Sequence, residues 1–475
     1  GVDSVTGDSS NNVISGTVGN TEPTITAGDT INGGAGTADV FQIVSTGTAG
    51  TVAGLSISNV ETIRVSDTST GATTVNLAGT TGITNLEMSG SAHTNTVTFS
   101  NVGAIAGLTL SNTSAAGGQT ITYASAATSG ATTQAITLDT AGGTGDTTIA
   151  GVETFNVSAT GASTLALAAA AGTTVNVTAA AATTIDLDAG VNTSLETVTA
   201  AGSAGAVTFT MNMALSETAL TGGEGNDIID TSAGAFGTSD SIDGGAGTGD
   251  RIRYTATTDV TTSATIGATG AAISNVEILE LQATDDGGGA AVDFTVDMDI
   301  VEGVTSVILD SNDVSDVSVF TLNDLNAAQA GAISIEGITQ NATDGNGTDV
   351  ELDLSDGTGT ADSATVTASV AAGNVITVGD SNGDIEALTV ALNGDVASSL
   401  TLDASDFSTG NAASLTVTGG ATATIVSADI ATGTVAVSSQ KTNVGAYAGI
   451  DSLVGEDLNR LQDSYFYQDY SYEVR

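Results

Sequence analysis

The residues best placed to do chemistry are carboxylates set among glycines. Gly222-Gly223-Glu224-Gly225-Asn226-Asp227-Ile228-Ile229-Asp230 is followed by Asp240-Ser241-Ile242-Asp243-Gly244-Gly245-Ala246-Gly247-Thr248-Gly249-Asp250. Glycines let a backbone turn tightly and aim its carbonyl oxygens inward, and aspartate adds a hard anionic oxygen. A turn of this kind suits a hard divalent cation, calcium above all. Ile229, two positions after Asp227, returns the chain to an apolar interior. Calcium takes six to eight oxygen ligands, more than one such turn can supply, so neighbouring turns must share an ion and binding is tied to folding.

The same blocks stand earlier in the chain. Asp29-Thr30-Ile31-Asn32-Gly33-Gly34-Ala35-Gly36-Thr37-Ala38-Asp39 repeats the pattern of Asp240 to Asp250, and Thr6-Gly7 with Asn11-Asn12-Val13-Ile14 echoes Thr221-Gly222 with Asn226-Asp227-Ile228-Ile229. Downstream, Ile57-Ser58-Asn59-Val60-Glu61 recurs unchanged at Ile273-Ser274-Asn275-Val276-Glu277. The copies lie 211 to 216 residues apart, which reads as an internal duplication: a first lobe over 1–216, a second over 217–440, and a different Tyr-rich module over 441–475.

The elements that must hold these turns are short strands. Phe155-Asn156-Val157, Leu165-Ala166-Leu167, Val175-Asn176-Val177 and Ile185-Asp186-Leu187 recur every ten residues, with apolar side chains two apart. That is strand alternation, and a constant interval implies a coil stacked on copies of itself. The expected fold is all-β, an elongated parallel β-solenoid over about 45–215 and 255–440, with Val157, Leu167, Val177 and Leu187 facing inward. The alanine runs 168–171 and 179–182 could favour helix, but threonine and glycine interrupt them and no 3.6-residue periodicity appears. Residues 320–329 are the best candidate for a short helix, with Asn323 as its N-cap. The acidic glycine-rich stretches 285–289 and 344–349 read as solvated turns.

Composition narrows the partners. Six basic residues stand against 54 acidic ones, a formal charge of −48, which excludes nucleic acid. Because 65–250 and 254–440 carry no cationic side chain, carboxylates there must be solvated, screened by salt or bridged by metal. There is no cysteine, one proline, and no apolar run of about 18 residues, so no membrane span is expected. His93, the only histidine, stands in Ser91-Ala92-His93-Thr94 with no nucleophile motif and reads as a surface residue. Asn156-Val157-Ser158 and Asn176-Val177-Thr178 match glycosylation sequons but read as polar positions within strands.

The nonapeptide at 222–230 resembles the RTX calcium-binding repeats, and residues 1–440 resemble bacterial surface-layer proteins that combine such repeats with a Thr/Ala/Gly-rich β-helix. Asn59-Val60-Glu61, Asn275-Val276-Glu277 and Gly151-Val152-Glu153 share in that likeness. The resemblance implies Ca2+ as cofactor, with Asp227 matching the family's ligand aspartate and Asp240 opening the next half-repeat. Asp29, Asp39 and Asp250 follow as weaker ligands, since Thr37-Ala38-Asp39 and Thr248-Gly249-Asp250 carry one residue more than the RTX spacing. Gly222, Gly223, Gly225, Gly244 and Gly245 would shape the turns and offer carbonyl oxygens. Asp463 to Tyr472 is similar to a segment of virion structural proteins of marine tailed phages. Together these imply a non-enzymatic structural protein of an extracellular assembly. A virion surface or tail-associated part is the first reading, and a bacterial surface layer is the alternative. Partners would be copies of itself, other structural proteins and possibly a cell-surface glycan. An adhesin, or a tailspike-type enzyme working through paired carboxylates, is the remaining reading; the body has no Trp, few Tyr and no catalytic constellation.

Overall fold

The computed structural model describes residues 1–48, 50–212, 218–232, 240–256, 260–261, 272–284, 292–301, 303–312, 318–336, 348–356, 362–369, 375–380, 385–393, 399–404, 412–419, 422–428, 432–437, 441–444 and 452–455. These form two compact units. The first takes Gly1–Asp230 and Ser239–Asp250, and the second the described strands from Arg251 onward.

In the first unit every strand pairing is parallel. One ladder runs through Val13–Val18, Val40–Ser45, Thr62–Asp67, Asn85–Ser89, Gly107–Ser111, Thr133–Asp139, Thr154–Ala159, Thr174–Ala179, Thr197–Thr199, Ala219–Thr221 and Ser241–Asp243. A second runs through Gly50–Val52, Thr73–Asn76, Val97–Val102, Gln119–Tyr123, Thr147–Ile149, Ser163–Ala168, Thr183–Asp186 and Val207–Met211. The chain alternates between the two ladders, one strand in each per coil. The expected solenoid is therefore present, and the ten-residue interval proves to be half a coil: Phe155 pairs with Val175 in one ladder, and Leu165 with Ile185 in the other. Side chains stack like on like, Ile136 over Val157 over Val177, so a slip of one residue would turn every apolar side chain outward. Val157, Leu167, Val177 and Leu187 are all buried, and burial of each such side chain contributes about 1.5–3 kcal/mol. The alanine runs form no helix, and both sequon asparagines lie in strands.

The second unit repeats the plan with longer coils. Arg251–Ala256, Ile278–Thr284, Ser306–Asn312, Ile333–Glu336, Ser363–Ser369 and Ala387–Asn393 stack in one ladder, and Phe294–Asp297, Val319–Leu325, Thr348–Leu354 and Val375–Asp380 in another. Phe294 and Phe320 are register partners whose rings stack 5.4 Å apart, and Tyr254 meets Phe294 edge-on. This stack corrects the expected helix over 320–329. Phe320, Leu322 and Leu325 alternate as a strand because the interior takes them in that parity. The helix is one turn, Ala327–Ala330, and its N-cap is Asn326 rather than Asn323, closed by a capping box with Gln329. Among the described residues no helix is long and apolar enough to cross a membrane. The stretch 285–289, most of 344–349, and 456–475, with the Tyr-rich segment, lie outside the described residues.

His93 is buried, not on the surface: only 1% of it is exposed. Ser91 and His93 share the inward parity at a coil corner, and the histidine Nε2 lies 3.2 Å from the Gly118 carbonyl of the following coil.

Candidate metal centre

The glycines of the turn blocks answer a need for close approach between coils. A Cβ on Gly222 would stand 1.9 Å from the Gly244 carbonyl oxygen, one on Gly223 2.6 Å from that of Ser203, and one on Gly225 2.6 Å from the Ala206 nitrogen. Gly245 and its counterpart Gly34 also need positive φ, 104° and 106°. Both blocks fold alike. Gly222 N–H donates to Asp243 O and Ala246 N–H to Gly223 O, each at 2.8 Å, as Gly7 N–H donates to Asn32 O and Ala35 N–H to Asp8 O, at 2.8 and 2.9 Å. Asn226 Oδ1 accepts from Thr248 N–H as Asn11 Oδ1 accepts from Thr37 N–H.

The aspartates bind the chain's own backbone. Asp227, fully buried, accepts from Val207 N–H (2.7 Å) on Oδ1 and from Gly223 N–H (2.5 Å) on Oδ2, so its two oxygens join two neighbouring turns. Burial pushes its carboxyl above the usual carboxylate range, against the pull of those two N–H groups. Asp29 accepts from Asp3 N–H (2.8 Å) and Thr26 N–H (2.7 Å), and the Thr26 N–H, followed by that of Asp3, holds its carboxyl below the usual range. Asp240 accepts from Thr218 N–H at 2.8 Å. Asp39 and Asp250 occupy matching places, accepting from Asn12 N–H (2.6 Å) and Asp227 N–H (2.7 Å). Charge-assisted bonds to buried N–H groups are the stronger kind, and these five carboxylates fasten coil to coil.

Not all of the expected ligands meet. Asp227 and Asp250 lie together with Gly222, Gly223, Gly225, Gly244 and Gly245, whereas Asp240 and Asp29 precede their strands and brace the chain on the other side. Asp227 and Asp29 spend both oxygens on N–H donors, so neither fits calcium unless those bonds are given up. Asp39 fits better. Its buried Oδ2 has no hydrogen-bond partner among the described residues, and Gly36 leaves an open space beside it. A Cβ on Gly36 would lie 2.4 Å from Ser10 O and 2.8 and 2.9 Å from the Asp39 oxygens. Around Gly247 the same measure gives 2.5 Å to Gly225 O and 2.4 and 2.6 Å to the Asp250 oxygens. Each block thus sets one carboxylate against one carbonyl over a glycine. Among the described residues no three carboxylate or imidazole groups converge on one point, so the remaining ligands of a bound ion would have to be carbonyl oxygens or water.

A set of positions that the sequence marked only as a likeness proves to be part of the same machinery. Asn59, Gly151 and Asn275 all adopt left-handed backbone, with φ of 50°, 76° and 52°. Val60, Val152 and Val276 are buried beside them. Glu61 and Glu153 then reach back one coil, accepting from Asp39 N–H and Thr132 N–H, each at 2.7 Å. Glu386, behind buried Ile385, does the same with Asp362 N–H at 2.9 Å. The signal available in sequence was an apolar residue followed by glutamate at the start of a strand.

A surface cleft of about 280 Å3 between Thr113, Gln119, Thr147 and Thr164 has no ionisable side chain in its lining. No protein-family model matches the chain, and no curated protein is similar to it.

Proposed function

We propose that this chain is a calcium-stabilised, non-enzymatic structural protein of an extracellular assembly, a virion surface or tail-associated part in the first place and a bacterial surface-layer protein as the alternative. One observation carries the reading: coil follows coil in unbroken parallel ladders, and the carboxylates of the turn blocks are spent on fastening those coils, not on lining a cleft. The fold is consistent with a structural or fibre-like role. Chain-to-chain contacts and other structural proteins of the assembly would be its partners.

Calcium would sit where Asp39 faces Ser10 O and where Asp250 faces Gly225 O, and its charge would offset carboxylates that have few cationic neighbours. An ion bound only by the folded chain stabilises it by about 2.7 kcal/mol at a hundredfold excess over its dissociation constant. Chelation is expected to lower the melting temperature of the wild type, and Asp39→Asn with Asp250→Asn to remove that response. An unchanged melting curve in excess EGTA, with no metal detected in the purified chain, discards the calcium reading. For the assembly reading, peptides of this chain should be found in gradient-purified virions or in isolated cell envelopes, which separates the two settings. A glycan-degrading activity abolished by one Asp or Glu substitution would overturn it.

A further inference from the structure

The two turn blocks differ in what lies upstream of them. Ala219–Thr221 pairs with Thr197–Thr199, Leu220 against Val198, and the coil of residues 197–211 covers the second block, with Glu224 N–H on Ser203 O (2.8 Å) and Val207 N–H on Asp227. Leu220 is in consequence 1% exposed. The matching strand Ser4–Thr6 pairs with Thr30–Asn32 on one side and ends its sheet on the other. Val5 is an interior residue by register, stacked on Ile31 and Ile57, yet it is 42% exposed. Val2 and Val13 are 74% and 61% exposed, so three of the four exposed large apolar side chains among the described residues cluster at this edge.

We propose that the edge formed by Ser4–Thr6 and Val13–Val18 docks a second copy of this chain, coil on coil and in parallel, in the place that residues 197–211 take over the second block. The occupant follows from the chain itself, which already seats one of its own coils on the equivalent edge. A second copy offers coils of that chemistry, and Lys441–Val444 ends a ladder of its second unit among the described residues. Parallel ladders have distinct ends, so such docking is head-to-tail and propagates into filaments. A formal charge of −48 on each copy opposes it, so association strengthens as salt rises.

This inference rests on the assembly reading but is tested apart from it. Sedimentation velocity and negative-stain microscopy of the full chain, across concentration and salt, should show end-to-end oligomers that grow with ionic strength. Val5→Glu and Val13→Glu, at exposed positions, should weaken association by about tenfold or more, with melting unchanged. Val191→Glu, at the fourth exposed apolar site, should leave association intact. A chain that stays monomeric at every salt concentration, or oligomers insensitive to Val5→Glu or equally lost with Val191→Glu, overturns the docking edge. Detection of the chain in virions or envelopes would stand regardless, so the two readings fail separately.

Discussion

The first and second turn blocks share a backbone, yet one residue tells them apart. Where Asp227 stands in the second block, the first has Asn12. Their N–H groups do the same work, donating to Asp250 and Asp39. Their side chains do not. Asp227 accepts from the coil upstream, whereas Asn12 donates from Nδ2 to Asp8, Ser10 and Gly33 within its own pair of turns. A carboxylate sits where a neighbouring coil offers N–H groups, and an amide where the local carbonyls need a donor. The lesson is that residue type at this position reports what covers the turn.

The largest expected effect breaks that comparison directly. Asp227→Ala leaves the N–H groups of Val207 and Gly223 without an acceptor in a buried setting, at about 1–3 kcal/mol each, so chemical denaturation should show a loss of about 2–5 kcal/mol. Asn12→Ala removes donors from a half-exposed turn and should cost about 1 kcal/mol or less. Equal losses would mean that the upstream coil does not depend on Asp227.

A second test exchanges the residues. Asn12→Asp sets a third carboxylate beside Asp8 and Asp39 and withdraws the donor from Gly33 O, so the first block should weaken by about 1 kcal/mol at low salt and recover part of that in high salt or calcium. A melting temperature independent of salt and calcium would count against the site beside Asp39.

Acid sharpens the contrast through opposite signs. Asp29 has its folded pKa lowered, so its contribution is fully present above the unfolded value and is lost as pH falls through the folded one. Asp227 has its folded pKa raised, so its contribution is present below the unfolded value and is lost as pH rises through the folded one. Asp29→Asn should therefore flatten the fall in stability below the ordinary carboxylate range. Asp227→Asn should remove a term that grows as pH drops toward that range. Denaturation midpoints measured from neutral to acid pH read both slopes, and slopes of the same sign would refute the assignment.

Much of this was legible in the sequence because strand parity is local. Leu165, Leu167, Val175 and Val177 declare their face by period two, and the turn blocks declare themselves by glycine and aspartate. What lay hidden depends on a partner about one coil away. Nothing within ten residues of Phe155 says that its partner is Val175 and not Leu165. Nothing near Asp227 says that Val207 offers an N–H. His93 looked superficial because its neighbours are polar, yet Ser91 and His93 share an inward parity at a corner. Asn326 was passed over for Asn323 because the strand ending at Leu325 was read as helix.

The smallest effect concerns what the two blocks have in common. After each comes the same Asn-Val-Glu, and Asn59 and Asn275 hold left-handed backbone at nearly the same angle, φ of 50° and 52°. For a residue with a Cβ that conformation costs about 1–2 kcal/mol, relieved in part for asparagine and removed for glycine. Gly151 fills the same position in the third copy of the motif at φ of 76°, so glycine is compatible with the turn. Asn59→Ala and Asn275→Ala should each lose about 1 kcal/mol, and Asn59→Gly and Asn275→Gly should stay within about 0.5 kcal/mol of the wild type. Asn59 Nδ2 also donates to Asn32 Oδ1 at 2.9 Å, an exposed bond between side chains, so any excess loss at Asn59→Gly over Asn275→Gly measures that bond rather than the backbone. If alanine and glycine proved alike at both sites, left-handed backbone would not be the reason that asparagine opens this motif, and the likeness between the blocks would lie in their hydrogen bonds alone.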